Sequence, residues 1–162
     1  MEALGKRCRG PGRVYLVGGA TALLHGWRPM TADVDLELDP EPDGAFEAIA
    51  KLKNELDINV ELAAPSHFIP EVPGWQERSV FIDLYGEVGF LHYDLVSQAL
   101  AKLERGSDRD LADVRAMIAA GLVTPESVRD GFAAIESRLV RFPRIDPESY
   151  GEDVRRFLES VQ

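Results

Sequence analysis

The segment Asp33–Leu38 alternates acidic and apolar residues without interruption, reading DVDLEL. Successive side chains of a β-strand point to opposite faces, so this period of two predicts a strand with its apolar residues on one face and its acids on the other. Asp33 and Asp35 then lie side by side, with their α-carbons about 6.5 Å apart. The segment therefore predicts a sheet strand that carries paired carboxylates on one face.

The remaining hydrophobic pattern places strands early in the chain and helices late. Strands are predicted at 14–17, 58–62 and 79–85, with a hairpin framed by Gly86 and Gly89 that leads to Asp94. Helices are predicted at 20–25, 46–56, 94–105, 107–121, 124–139 and 146–158, the last two beginning with an N-cap residue followed by proline.

These elements predict an α/β (α+β) fold, with a mixed sheet flanked by helices and a helical segment at the C-terminus. We interpret 1–92 as the core and 93–162 as the helical segment of one compact unit. Within the helix at 46–56, Phe46, Ile49 and Leu52 recur at helical spacing, which predicts an amphipathic helix.

The composition excludes several classes of protein. Apolar runs are far shorter than the ~20 residues of a membrane-spanning helix, and no signal peptide is evident, so we expect a cytoplasmic protein without a membrane partner. A lone Cys8 cannot form an internal disulfide or a thiolate metal cluster. The net charge of -10 argues against a broadly basic nucleic-acid-binding surface. Lys6, Arg7, Arg9 and Arg13 form a short basic arm that is either a phosphate contact or a solvated tail.

The acid pair and a preceding glycine pair together predict a phosphate site. Carboxylates at Asp33 and Asp35 can converge on Mg²⁺ or Mn²⁺, ions that bridge nucleotide phosphates in phosphoryl transfer. Gly18-Gly19 stand between an apolar strand and a short helix, where backbone N–H groups form a phosphate cradle. Either feature alone is common, since acids decorate exposed strands and glycines make turns. Their occurrence in this order is much less expected by chance.

The ordered motif resembles the first motif of the polymerase-β type nucleotidyltransferase superfamily. It runs from Gly18-Gly19-Ala20 through Arg28 and Thr31 to Asp33-Val34-Asp35-Leu36. More narrowly, it is similar to a toxin-like branch that includes the AbiEii abortive-infection proteins and the mycobacterial MenT toxins. A second stretch resembles the helical motif of that branch, through Asp94, Lys102, Arg109-Asp110 and Asp113.

The resemblance implies the nucleotidyltransferase fold, with the C-terminal helical segment closing a nucleotide cleft. It implies transfer of a nucleoside monophosphate from an NTP to a hydroxyl of an RNA end such as tRNA, a protein or a small molecule. It further implies a Mg²⁺ or Mn²⁺ cofactor and, for a toxin, an antitoxin partner. The implied metal ligands are Asp33 and Asp35, and the implied catalytic lysine is Lys102. The implied nucleotide contacts are Gly18, Gly19, Arg28, Thr31, Arg109, Asp110 and Asp113.

Some roles stay open at this level. Glu61 is the best candidate for the third carboxylate, as metal ligand and catalytic base, but a solvated strand residue is an equal alternative. Arg109 with Asp113 also suits an exposed ion pair on a helix, and Lys102 also suits a solvated side chain. A second function fits as well: a catalytically degenerate module of the same fold that binds nucleotide or protein. A third alternative, a glycosyltransferase with an Asp-x-Asp motif, is less favoured because the chain is short for a nucleotide-sugar-binding domain.

Aromatic residues and histidines add little to the sequence prediction. His25, His67 and His92 are scattered along the chain and show no ribonuclease-type spacing. Trp27 and Trp75 are expected in loops, where each is either a packing anchor or a platform for a base.

Overall fold

A computed structural model describes residues 1–161 of the chain. It contains five strands: β1 Gly12–Val17, β2 Asp33–Leu38, β3 Asn59–Leu62, β4 Val80–Tyr85 and β5 Val88–His92. The α-helices are α1 Glu2–Gly5, α2 Gly18–His25, α3 Ala45–Leu56, α4 Trp75–Arg78, α5 Leu95–Arg105, α6 Asp108–Ala119, α7 Pro125–Glu136 and α8 Pro147–Glu159. Short 3-10 helices lie at Pro65–His67 and Leu139–Arg141. The predicted α/β fold with a mixed sheet flanked by helices is confirmed.

The chain divides into two compact units. The first, called the sheet unit, comprises 1–64 and 79–93; the second, called the helical unit, comprises 65–78 and the chain from Asp94 onward. The proline-containing segment 65–78 groups with the helices because it buries apolar side chains there. Val72, for example, lies beside Gly131 of α7.

The sheet has the order β3-β2-β1-β5-β4. β1 runs parallel to β5 and antiparallel to β2, and β3 runs parallel to β2. The C-terminal ends of β1 and β5 and the N-terminal ends of β2 and β3 therefore lie at the same end of the sheet. The residues that follow β1 and those that begin β2 are brought together in this way.

One face of the sheet carries the core of the sheet unit, under α1, α2 and α3. As predicted, the apolar residues of β2 face this core, including the buried Leu36. They pack with Leu16 of β1 and Phe90 of β5. The acids of β2 consequently point to the opposite face.

α3 is amphipathic, as predicted, and Ile49 and Leu52 of the predicted pattern are buried. Phe46 is 50% exposed, because it points away from the buried stripe. Two other local predictions are wrong. Gly89 lies within β5 rather than in the hairpin turn, which leaves Gly86 at the turn. Trp75 begins α4 and is buried rather than lying in a loop.

The helical unit begins its helices as predicted from their first residues. Asp94, Ser107, Thr124 and Asp146 are the N-caps of α5, α6, α7 and α8, and each side chain accepts a backbone N–H of its first turn. Within residues 1–161, none of these helices combines the length and the hydropathy needed to cross a bilayer.

Candidate functional site

The predicted acids lie on two neighbouring strands. In the register of β2 and β3, Asp35 is opposite Glu61, and Asp33 is opposite Asn59. Paired residues project from the same face of a sheet, so these side chains form one polar patch, which we call the acid face. The acid face lies opposite the apolar core, and the structure thus brings together all three predicted carboxylates.

An asparagine joins the two strands across the acid face. The amide nitrogen of Asn59 donates to Asp33 Oδ1 and to Glu61 Oε1, each at 2.9 Å. Sequence periodicity places Asn59 on the same face as Glu61, but the contact with Asp33 depends on the pairing of β2 with β3. This bridge is the site feature that sequence reasoning missed.

The donor set of the acid face suits a hard divalent cation. Mg²⁺ is commonly held by one or two carboxylates together with substrate phosphates, and Asp33 and Asp35 provide two carboxylates in neighbouring positions. Within residues 1–161, no group of three or more His, Cys, Asp or Glu side chains is arranged to hold a metal ion. The role of Glu61 as a third ligand stays a prediction.

The glycine turn lies directly beside the acid pair. β1 ends at Val17, which is opposite Asp35, and Gly18 follows with a left-handed φ of +58°. A Cβ at Gly18 would lie 3.0 Å from Asp35 Oδ2, so the carboxylate rests against the turn. α2 begins here, and its N-cap Val17 makes no side-chain capping bond. Backbone N–H groups at such a helix start attract phosphate.

Gly19 allows the loop before β2 to pack against the glycine turn. A Cβ at Gly19 would lie only 2.1 Å from Thr31 Oγ1. The Thr31 hydroxyl donates to the carbonyl oxygen of Asp33 at 2.8 Å. Arg28 is half-buried, and its backbone N–H contacts the carbonyl oxygen of Ala22 at 3.4 Å. Thr31 thus connects the two halves of the motif, while nucleotide contacts by Thr31 and Arg28 stay predictions.

Two histidines that are distant in sequence meet at the C-terminal end of α2. The His92 ring lies 4.3 Å from the His25 ring, and Trp27 stacks on His25 at 5.3 Å. His92 Nδ1 is 3.3 Å from Thr21 Oγ1, which donates its single hydrogen to the Leu16 carbonyl oxygen, so Nδ1 is the donor to Thr21. β5 lies next to β1, and this pairing, invisible in the sequence, joins residues that the sequence analysis regarded as scattered.

The burial of His92 predicts that the folded protein is less stable at acid pH. Burial, with a smaller effect of His25, lowers the pKa of His92 from 6.5 to about 4. Between these values the unfolded chain binds a proton that the folded chain does not, so stability is complete above pH 6.5 and falls as the pH approaches 4. We expect the free energy of unfolding, measured with urea, to fall by about 2 kcal/mol between pH 7.5 and pH 5.

The His92→Gln variant should lose most of that pH dependence. His67→Gln, which alters an exposed histidine, should keep it. Equal pH dependence in wild type and His92→Gln would show that His92 is not the group responsible.

The helical-motif residues form a buried ionic network in the helical unit. Lys102 Nζ lies 2.6 Å from Asp113 Oδ2 and 3.3 Å from Asp110 Oδ1, and the Lys102 and Asp113 side chains are each 5% exposed. Burial raises the pKa of Asp110, but hydrogen bonds from Arg105 and Ser107 outweigh it and lower the value to about 2. The interpretation of Lys102 as a solvated side chain is therefore wrong.

The structure also locates the other residues of the helical motif. Arg109 is exposed near the start of α6, whereas Asp113 is buried against Lys102, so Arg109 and Asp113 are not an exposed ion pair. Asp94 caps α5 and also binds Arg78 through two hydrogen bonds of 2.8 and 3.1 Å. Catalytic or nucleotide contacts by Lys102, Arg109, Asp110 and Asp113 stay predictions.

The basic arm near the N-terminus is neutralised by neighbouring acids. Arg7 binds Glu55 at 2.7 Å, and Arg9 lies 3.7 Å from Asp43. A third pair joins Lys6 and Glu2. These local pairs weaken the case for the arm as a phosphate contact, because Lys6, Arg7 and Arg9 each already face a carboxylate.

A family model of known proteins matches most of the chain. The family model described as a nucleotidyltransferase of unknown function (DUF6036) matches residues 4–140. The matched range includes the glycine turn, the acid face and the Lys102 network. No curated protein and no solved structure matches the chain significantly.

Proposed function

The chain belongs to this nucleotidyltransferase family, and from that premise we propose that it transfers a nucleoside monophosphate from an NTP to a hydroxyl acceptor. The proposal places a Mg²⁺ or Mn²⁺ ion on Asp33 and Asp35. One observation carries it: the Asp35 carboxylate rests against the left-handed turn at Gly18. Gly18 and Asp35, seventeen residues apart in sequence, thereby form one site.

Each group of the site has a role in this reaction. Backbone N–H groups of Gly18 and Gly19 bind phosphate oxygens at the start of α2, and Asp33 and Asp35 hold the ion. When bound, the ion stabilises negative charge on the phosphates and on the leaving oxygen. The acceptor oxygen forms a bond to the α-phosphorus, the bond to the bridging oxygen breaks, and pyrophosphate leaves. The acceptor loses its proton to a base, for which Glu61 is one candidate.

The narrower proposal is a toxin of a toxin–antitoxin pair. Its support is the spacing of Arg28, Thr31 and the helical motif around Lys102, which is similar to the AbiEii and MenT branch. A tRNA end or a protein hydroxyl is then the acceptor, and an antitoxin is the partner. The pairing of Arg7 and Arg9 with carboxylates argues against broad RNA binding by the basic arm.

The function is tested with labelled NTPs, magnesium and candidate RNA and protein acceptors. We expect wild type to label an acceptor and Asp33→Ala to label none. Absence of transfer by wild type with every NTP and acceptor, or equal transfer by Asp33→Ala, contradicts the proposal.

A specific observation favours a second candidate, the catalytically degenerate module. Glu61 is engaged by Asn59, and no three-acid metal group occurs within residues 1–161. Calorimetry with NTP, with and without manganese, separates the two functions. Nucleotide binding without any metal requirement, together with no transfer, supports the degenerate module.

A further inference from the structure

We propose that Asn59 and Glu61 are positioning residues that orient the Asp33 carboxylate toward the metal, and that Glu61 is not itself a metal ligand. The inference rests on the proposed function, since it concerns the ion held by Asp33 and Asp35. It departs from the expectation that Glu61 supplies a third carboxylate to the ion.

The amide of Asn59 divides its two hydrogens between two carboxylates. One hydrogen goes to Asp33 Oδ1 and the other to Glu61 Oε1, both at 2.9 Å between heavy atoms. An amide nitrogen has only two hydrogens, so both are used. Glu61 thereby fixes the rotation of the Asn59 side chain, and Asn59 in turn fixes Asp33 Oδ1. Because Oδ1 is engaged by Asn59, the second oxygen of Asp33 is the one that would bind a cation.

The register of the two strands supports this order of contacts. Asn59 is opposite Asp33, so its bond to Asp33 crosses between strands, whereas Glu61 is opposite Asp35. Both Asn59 and Glu61 are exposed, so their arrangement is not imposed by tight packing. We therefore infer that Asn59 and Glu61 act on the Asp33 carboxylate through their shared hydrogen bonds.

One observation separates Glu61 from the metal ligands: the acids among residues 1–161 do not form a group of three arranged to hold an ion. The Glu61 Oε1 atom instead accepts a hydrogen bond from the Asn59 amide. Mg²⁺ needs no third protein carboxylate, since two carboxylates, phosphates and water complete its shell. Partners that orient a ligand in this way typically change metal affinity by about 10–100-fold when they are removed.

The test is a titration of the full chain with Mn²⁺ alone, followed by electron paramagnetic resonance of the free ion. Asn59→Ala should weaken Mn²⁺ binding about 10–100-fold. Glu61→Gln keeps a carbonyl oxygen that accepts from Asn59. It should weaken binding by no more than about tenfold, the effect of one lost charge about 6 Å from a divalent ion in water. Asp35→Asn, which alters a proposed ligand, should weaken binding far more than Glu61→Gln.

The chain offers a matched control in its other asparagine, Asn54, which is exposed on α3 and donates to the Ala50 carbonyl oxygen. Asn54→Ala should bind Mn²⁺ as wild type does. Melting temperatures of all variants distinguish lost stability from lost affinity, because a purely structural role of Asn59 would lower the melting temperature without weakening Mn²⁺ binding below it.

Different outcomes of this test would overturn the positioning role and the proposed metal site. Equal affinity of Asn59→Ala and Asn54→Ala overturns the positioning role. A loss in Glu61→Gln as large as that in Asp35→Asn overturns the assignment of Glu61 and makes it a ligand. If wild type and Asp35→Asn bind Mn²⁺ equally, the proposed metal site itself fails.

Discussion

Replacing Asp35 with asparagine is expected to slow nucleotidyl transfer about a thousandfold while the protein stays folded. A divalent ion supplies several kcal/mol of stabilisation to the charge that develops in the transition state, and about 1.4 kcal/mol corresponds to a factor of ten in rate. Asparagine keeps the shape of the side chain against Gly18 but removes the charge that holds the ion. The effect should therefore appear in the rate and not in the fold.

The measurement is the initial rate of label transfer at saturating NTP and metal. Glu37→Gln is the matched control, because Glu37 is the next acid of the same strand face and lies opposite Tyr15 rather than beside the glycine turn. Glu37→Gln should retain most of the activity, and both variants should melt near wild type. Comparable rates for Asp35→Asn and wild type would remove Asp35 from the metal site.

Replacing Lys102 with methionine is expected to cause the largest loss of stability, about 3–5 kcal/mol. The variant leaves the Asp113 carboxylate buried, at 5% exposure, without the ammonium group that lies 2.6 Å from it. For a chain of this size, such a loss lowers the melting temperature by about 10 °C. Calorimetric melting of wild type and variant at neutral pH provides the measurement.

Two further variants interpret that result. Lys51→Met changes an exposed lysine on α3 and should melt as wild type does. Lys102→Met combined with Asp113→Asn removes the uncompensated charge and should recover part of the lost stability. If the recovered double variant is folded but transfers no nucleotide, Lys102 or Asp113 has a catalytic role besides the structural one. An unchanged melting temperature in Lys102→Met would show that the ion pair is not required for the fold.

Local patterns were sufficient to predict most of the fold and the centre of the site. The alternation in Asp33–Leu38 predicted β2 and the face of its acids, because a strand has a side-chain period of two whatever it packs against. Gly26 correctly predicted the end of α2, and the N-cap signals at Ser107, Thr124 and Asp146 predicted the starts of α6, α7 and α8. Each of these features depends on residues within one turn or one strand.

Features that depend on contacts between different helices and strands could not be predicted from local sequence patterns. Phe46 shares the helical spacing of Ile49 and Leu52, but in α3 those two residues are buried and Phe46 is exposed. His25 and His92 meet only because β5 pairs with β1, and Lys102 is buried only because α5 and α6 pack together. A sequence pattern reports which residues share a face, and it does not report what covers that face.

The sequence by itself determined the elements, the face on which Asp33 and Asp35 lie, and the order of glycine turn and acid pair, because these follow from backbone geometry over a few residues. The tertiary structure alone decided that Asp35 rests against Gly18 and that Asn59 joins Asp33 to Glu61. Those contacts depend on strand order and register. Strand order and register are determined by burial of the whole apolar face of the sheet, to which every strand contributes.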